Sequence, residues 1–116
     1  MRNAALYLRD ILDAIAAIER FTEGLDPQAF SQDDLRSSAV IRKFEIIGEA
    51  AKHVPEQVKH RYPDIPWKGM AGLRDRLIHF YFGIKYELVW ETIQKELPRL
   101  RTALEQVLRD LEAEAP

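Results

Sequence analysis

The sequence predicts an all-α fold, a four- to five-helix up-and-down bundle in one domain spanning residues 1–116. Three observations carry that expectation. Apolar residues recur every three or four positions through almost the whole chain, the spacing of a single helix face. No stretch alternates polar and apolar residues long enough to make a strand. The breaks between periodic segments are short and marked by Gly24, Asp26-Pro27, Pro55, Pro63 and Gly83, which suits neighbouring helices in a bundle.

Each element has its own justification. The first segment places Tyr7, Ile11, Ile15, Ile18 and Phe21 on one face, and Gly24 followed by Asp26-Pro27 ends it. Ser31-Gln32-Asp33-Asp34 opens the second with an oxygen-bearing cap and early acids. Its stripe is Leu35, Ala39, Phe44, Ile47 and Ala51, up to Val54-Pro55. Gly48 inside this helix costs about 1 kcal/mol relative to alanine, a cost that the close approach of another helix would offset. A short third helix fits Glu56 to Tyr62, between two prolines. Pro66 suits the first turn of a fourth, where a missing N–H costs nothing. That helix is expected to run through Trp67, Met70, Leu73, Leu77 and Phe80 until Gly83 stops it. The last segment carries Val89, Ile93, Leu97, Leu100, Leu104, Val107 and Leu111, a coiled-coil-like seam. Pro98 interrupts it by removing one backbone bond and clashing with the carbonyl of Gln94, so a kink or a junction of two helices is expected there.

Bulk properties set the boundaries. With 116 residues, 47% of them apolar, the chain suffices for one small core and leaves much surface for a partner or a second copy. The absence of cysteine removes disulfides and thiolate metal sites. No apolar run approaches the ~20 residues of a membrane span, and charges interrupt the N-terminal stretch MRNAALYLRD. The expectation is a soluble, cytoplasmic protein. Net charge is −2, which does not announce a duplex-DNA binder. Its distribution is uneven, because residues 59–86 hold six basic residues against two acidic ones, a local +4. Such a patch suits a phosphate-bearing ligand, although helix surfaces fluctuate in sign.

The patch coincides with GLRDRLIHFYFG, Gly72 to Gly83. RNA cleavage without a metal needs a group that moves protons near neutral pH as a 2′-hydroxyl attacks the adjacent phosphate, and histidine is the natural one. A guanidinium matches the negative charge that develops on the phosphoryl oxygens. His79 and Arg74 supply both. Five residues of ideal helix would set them ~140° apart around the axis. Convergence therefore needs a long arginine reach, a loosened last turn or a second copy of the chain. Other readings stand beside this one. His79 suits a helix C-terminus through the dipole, Arg74 and Arg76 suit a solvated face with Asp75 between them, and Tyr81 suits the core.

At these residues the sequence resembles a known family. R-D-R-L-I-H-F-Y matches the R-x4-H-x-Y motif of HepT-like toxins in the HEPN superfamily, with Arg74, His79 and Tyr81 at the motif positions and Asp75 as the polar residue that often follows the arginine. YLRDILDAI, AVIRKFEIIGEAAKHVP, YPDIPWKGMAGLRDRLIHFYFGI and V-W-E-T-I-Q-K-E-L-P extend the likeness over nearly the whole chain. The resemblance implies a HEPN-like helical homodimer that brings two arginine–histidine motifs into one cleft. It further implies a metal-independent endoribonuclease, without cofactor, acting as the toxin of a type VII-like toxin–antitoxin pair. The implied partner is a minimal nucleotidyltransferase antitoxin that silences the toxin by transferring AMP to Tyr81. On that basis Arg74 and His79 are the catalytic candidates, with Asp75 and Tyr81 supporting them. Arg76, Lys68 and Lys85 are candidates for RNA backbone phosphates. Trp67 and Trp90 suit either base stacking or the core, core being favoured by their apolar neighbours. His53 and His60 lack metal-ligand spacing and read as surface groups. Two alternatives remain open: a non-catalytic helical dimer that docks the nucleotidyltransferase, and an RNA-binding module without cleavage.

Overall fold

The computed structural model describes residues 3–79, 81 and 83–115. Two long helices, α1 (Ala4–Thr22) and α3 (Asp34–His53), pack along each other, and α8 (Leu97–Glu114) packs on α1. Their meeting faces keep most of the predicted stripes and add Leu8 and Val40, while Tyr7, Phe21 and Ala39 are half-buried. Leu8, Ile11, Ile15 and Ile18 of α1, Val40, Phe44, Ile47 and Ala51 of α3, and Leu104 and Val107 of α8 are buried in one cluster. Asn3 caps α1, its Oδ1 accepting from Leu6 N–H at 3.1 Å. The expected cap of α3 is Asp33, whose Oδ1 accepts from Arg36 N–H at 2.9 Å. Among the described residues, no helix is long and apolar enough to cross a membrane.

Between the long helices lies a short one the periodicity does not announce, α2 (Pro27–Gln32). Asp26-Pro27 reads as the end of the first helix, yet here it starts a new one: Asp26 Oδ1 accepts from Ala29 N–H at 2.8 Å, and Pro27 occupies the first turn. Phe30 anchors α2, fully buried with its ring 5.5 Å from Trp90 and 6.3 Å from Tyr86. This insertion displaces Leu35 from the expected stripe; it stands 81% exposed in the first turn of α3.

The expected fourth helix is two helices, α5 (Trp67–Ala71) and α6 (Leu73–Leu77), parted at Gly72. It also ends earlier than the Gly83 stop suggests. Ile78–His79 (β1) is extended and pairs antiparallel with Gly83–Ile84 (β2), Ile78 opposite Ile84 and His79 opposite Gly83. Lys85 N–H donates to Leu77 O at 2.9 Å and closes the loop. Gly83 sits at φ +78°, a conformation that costs other residues dearly, so its role is to turn the chain inside this small hairpin rather than to cap a helix. Phe80, expected at the end of that helix, lies outside the described residues.

α4 (Glu56–Arg61) follows Pro55 as expected. After the hairpin, α7 (Tyr86–Glu91) runs into a π-helical turn, Thr92–Glu96, and then into α8. Leu97 N–H reaches back five residues to Thr92 O. In α-geometry the ring of Pro98 would collide with the carbonyl of Gln94; the wider turn makes room without breaking the seam. Val89, Ile93, Leu97, Leu104 and Val107 remain buried across it.

The remaining framework is polar stitching. Arg101 Nη1 donates to both oxygens of Glu19 at 2.6 and 2.7 Å, and Arg9 pairs with Glu112, joining α8 to α1. Tyr62 Oη donates to Asp110 Oδ2 at 2.7 Å, and Arg61 pairs with Glu114, joining the end of α4 to α8. The Tyr62 bond holds the Asp110 carboxyl below the ordinary carboxylate range and raises the Tyr62 phenol above its own.

Gly48 is where the fold is tightest. A Cβ there would lie 3.1 Å from the carbonyl oxygen of Met70 and 3.3 Å from that of Ala71, both backbone atoms at the end of α5. The glycine expected to admit a neighbour does so. Gly48→Ala should regain about 1 kcal/mol of helix propensity but lose more to overpacking, about 1–3 kcal/mol. Urea denaturation should show a lower midpoint for Gly48→Ala and a still lower one for Gly48→Val.

Asp110 and Tyr62 set a pH dependence. A depressed carboxyl stabilises the fold above its unfolded value of ~3.9, and that contribution fades as pH falls through the lower native value. The raised phenol stabilises below its unfolded value of ~10, and that part fades as pH rises through the higher native value. Tyr62→Phe should lower stability at neutral pH and flatten the decline below about pH 4, as thermal melts across a pH series would record.

Candidate active site

α6 is a five-residue helix with two buried anchors, Leu73 and Leu77, one turn apart. They face the core and leave Arg74, Asp75 and Arg76 on the outside, all exposed. The two arginines leave in opposite directions, as their ~200° separation on a helix requires. Arg74 goes toward α3, where its Nε donates to Glu45 Oε2 at 3.2 Å. Arg76 goes toward the π-turn, where its Nη2 donates to Glu96 at 3.0 and 3.3 Å and approaches Thr92 Oγ1 at 3.4 Å. Asp75 Oδ1 stands 3.8 Å from Arg74 Nη1, with its side chain 90% exposed.

His79 is not on the helix. The transition from α6 to β1 after Leu77 removes the ~140° angular conflict that a continuous helix would impose on Arg74 and His79. His79 is exposed, and its Nδ1 accepts from the backbone N–H of Tyr81 at 3.4 Å. A ring whose Nδ1 accepts carries its proton on Nε2 when neutral. Tyr81, in the turn between the strands, is 85% exposed, so the core reading of this residue falls.

The other sequence candidates separate cleanly. Lys68 on α5 and Lys85 just before α7 are both exposed. Trp67 is core, its indole N–H donating to Tyr62 O at 3.0 Å. Trp90 is half-buried against Phe30. His60 is exposed 4.0 Å from Glu56, and His53 is exposed with its ring stacked on Tyr7 at 5.6 Å. Among the described residues, no three His, Asp or Glu side chains group as a metal site would require. Glu45 is the residue that sequence reasoning missed. It lies 29 positions from Arg74, and only the packing of α6 on α3 brings the two together.

The motif lies on open surface. A cavity of about 380 Å³ opens between α5, α6 and α8, lined by Met70, Leu73, Leu97 and Leu100 with Arg76 and Glu96 at its edge. Shallower clefts lie between α1 and α3 and between α4 and α5. Arg74, His79 and Tyr81 line none of these three.

Comparison with known proteins shows what the chain is similar to. Residues 11–107 match the Ribonuclease HepT-like family. A Methanocaldococcus jannaschii protein named as an RNase is 42% identical over 113 residues, covering 97% of this chain and 93% of its own length. A second from the same organism, also named as an RNase, is 42% identical over 111 residues, covering 96% of each chain. A Thermococcus cleftensis protein named as probable ribonuclease HepT is 44% identical over 101 residues, covering 87% of this chain and 92% of its own. No solved structure matches.

Proposed function

The chain belongs to the HepT-like family of ribonucleases, and from that premise we propose that it is a metal-independent endoribonuclease, the toxin of a toxin–antitoxin pair. The observation that supports this reading is the break between α6 and β1, which takes His79 off the helix that holds Arg74 and leaves both side chains exposed. The reaction needs a base, an acid and a donor to the phosphoryl oxygens. The 2′-oxygen loses its proton to a base and bonds to phosphorus. The bond from phosphorus to the 5′-oxygen breaks, and an acid protonates that leaving oxygen. The products are a 2′,3′-cyclic phosphate and a 5′-hydroxyl end. Arg74 donates to the phosphoryl oxygens as their charge grows. His79 moves a proton at one of the reacting oxygens, as base at the 2′-hydroxyl or as acid at the leaving oxygen.

One chain then lacks the other proton-transfer group and an enclosed cleft. A homodimer supplies both, with the second copy's His79 facing the same phosphodiester. The exposure of Arg74, His79 and Tyr81 on the single chain suits a site completed by a second copy. The exposure of Tyr81, two residues beyond His79, supports its role as the acceptor of AMP from a nucleotidyltransferase antitoxin. Esterification of its phenol would set a bulky, negatively charged phosphodiester beside the groups that bind RNA. Lys68 and Lys85, both exposed, serve flanking phosphates; Arg76 reaches one only by leaving Glu96.

Purified protein in excess chelator should cleave single-stranded RNA. His79→Ala should lower the rate roughly 10²–10⁴-fold and Arg74→Ala roughly 10²–10³-fold, with circular dichroism unchanged. Failure of the unmodified wild type to cut any RNA offered would remove the enzymatic reading.

Coexpression with a nucleotidyltransferase encoded beside the gene should add whole AMP units to the intact mass. Tyr81→Phe should abolish that addition and leave a protein the partner no longer silences.

A further inference from the structure

We propose that Glu45 is a positioning residue: its carboxylate anchors Nε of Arg74 and so aims the two Nη groups of that guanidinium outward at a phosphodiester. The inference deepens the reading of the preceding subsection and rests on it for the identity of the phosphate.

The geometry comes from three facts. First, the Glu45–Arg74 bond uses one donor of five: Nε to Oε2 at 3.2 Å. Among the described residues, Nη1 and Nη2 make no hydrogen bond; Asp75 Oδ1 stands 3.8 Å from Nη1. A carboxylate on Nε occupies the side of the planar fork and leaves its end, the Nη1–Nη2 face, able to take two phosphoryl oxygens together. Second, Glu45 is less exposed than its partner, 34% against 58% for the side chains. It sits on the rigid middle of α3, next to buried Phe44, so the acid is the fixed member and the arginine the one being held. Third, Gly48 lies one turn further along α3 and leaves room for the end of α5, whose Met70 carbonyl oxygen would lie 3.1 Å from a Cβ placed there. That approach brings α6 in behind it and sets the distance across which Glu45 reaches Arg74.

A stabilising role for the pair explains little, because exposed ion pairs contribute weakly to folding. An unanchored arginine on a short helix would instead sample many rotamers, and each would have to be lost when phosphate binds. Anchoring Nε removes most of that search before the substrate arrives. It also prevents Glu45 from drawing the whole fork inward, since a single contact through Nε leaves the charge at the far end.

The test is a cycle of four proteins, wild type, Glu45→Ala, Arg74→Ala and the double variant, with Glu45→Gln as the conservative rescue. Each is checked for fold by circular dichroism and thermal melting. On single-stranded RNA, Glu45→Ala should lower kcat roughly 10- to 100-fold with KM shifted about threefold or less. Glu45→Gln retains an acceptor for Nε and should stay within about fivefold of wild type. In the Arg74→Ala background, Glu45→Ala should add no further loss. Wild-type rates for Glu45→Ala, or an equal loss with and without Arg74, would overturn the proposal while leaving the nuclease intact. A 2′-O-methyl oligonucleotide, which lacks the attacking hydroxyl, carries the same cycle through binding. If the wild type binds it but cuts nothing, the nuclease reading falls. Glu45 then stands or fails on whether Glu45→Ala weakens binding only when Arg74 is present. If it neither cuts nor binds, both readings fall.

Discussion

The close approach of α5 to Gly48 of α3 is the constraint on which the arrangement depends. Two backbone carbonyls, from Met70 and Ala71, stand where any other residue would carry a side chain. Buried Trp67 and Met70 lock α5 in that place, and Gly72 then lets the chain turn into α6 without carrying α5's direction with it. The motif residues Arg74 and His79 follow within the next few positions. A shift of α5 by even a few tenths of an ångström is passed on to Arg74, because only Gly72 separates the two helices and because close-packed interiors transmit displacement rather than absorb it.

α6 divides its charges by geometry alone. Leu73 and Leu77 must face inward, which sends Arg74 to one flank and Arg76 to the other. The helix then stops after five residues, although apolar periodicity alone would carry it through Phe80. Two features end it. Ile78 is β-branched and takes extended backbone, φ −119° and ψ 129°. Gly83 supplies the left-handed turn that folds the following strand back, and Lys85 closes the loop on Leu77. A pattern in which buried residues fall at helical spacing is also satisfied by a short helix followed by a bend, and periodicity cannot tell the two apart.

Legibility in the sequence followed the range of the interaction. The all-α architecture, most of the stripes of α1 and α3 and the Asp33 cap were readable because each depends on neighbours three or four positions away; Gly48 was readable because a glycine inside a helix carries a local cost that a close neighbour offsets. Asp26-Pro27 was readable in principle, since an oxygen cap followed by proline begins helices as often as loops follow them; with Gly24 two residues earlier, the stop signal dominated. Pro98 announced a disturbance but not its form. The strain was local, while the choice of a π-turn over a kink was made by the buried seam on both sides, which a kink would have pulled apart. Leu35 was misassigned to the core because burial there is decided by α2, an element its own helix does not encode. The motif residues were visible through resemblance, not through spacing, which on an ideal helix argued against their cooperation.

The electrostatic patch looks different once its partners are known. Of the six basic residues between positions 59 and 86, four meet carboxylates: Lys59 with Glu56, Arg61 with Glu114, Arg74 with Glu45 and Arg76 with Glu96. All four acids lie outside that segment, so the local +4 that the linear sequence displays is largely cancelled in space. A chain of net charge −2 with its basic residues matched in this way has little long-range field with which to draw in a polyanion. On the proposed reading, recognition of RNA then falls to the few groups presented with free donors, the Nη face of Arg74 together with Lys68 and Lys85. Orientation matters more than total charge under those conditions. A guanidinium that is half neutralised but correctly aimed serves a single phosphodiester better than a diffuse basic surface, because its fork matches the oxygens whose charge grows during the reaction and adds little to the indiscriminate attraction of every other phosphate along the strand.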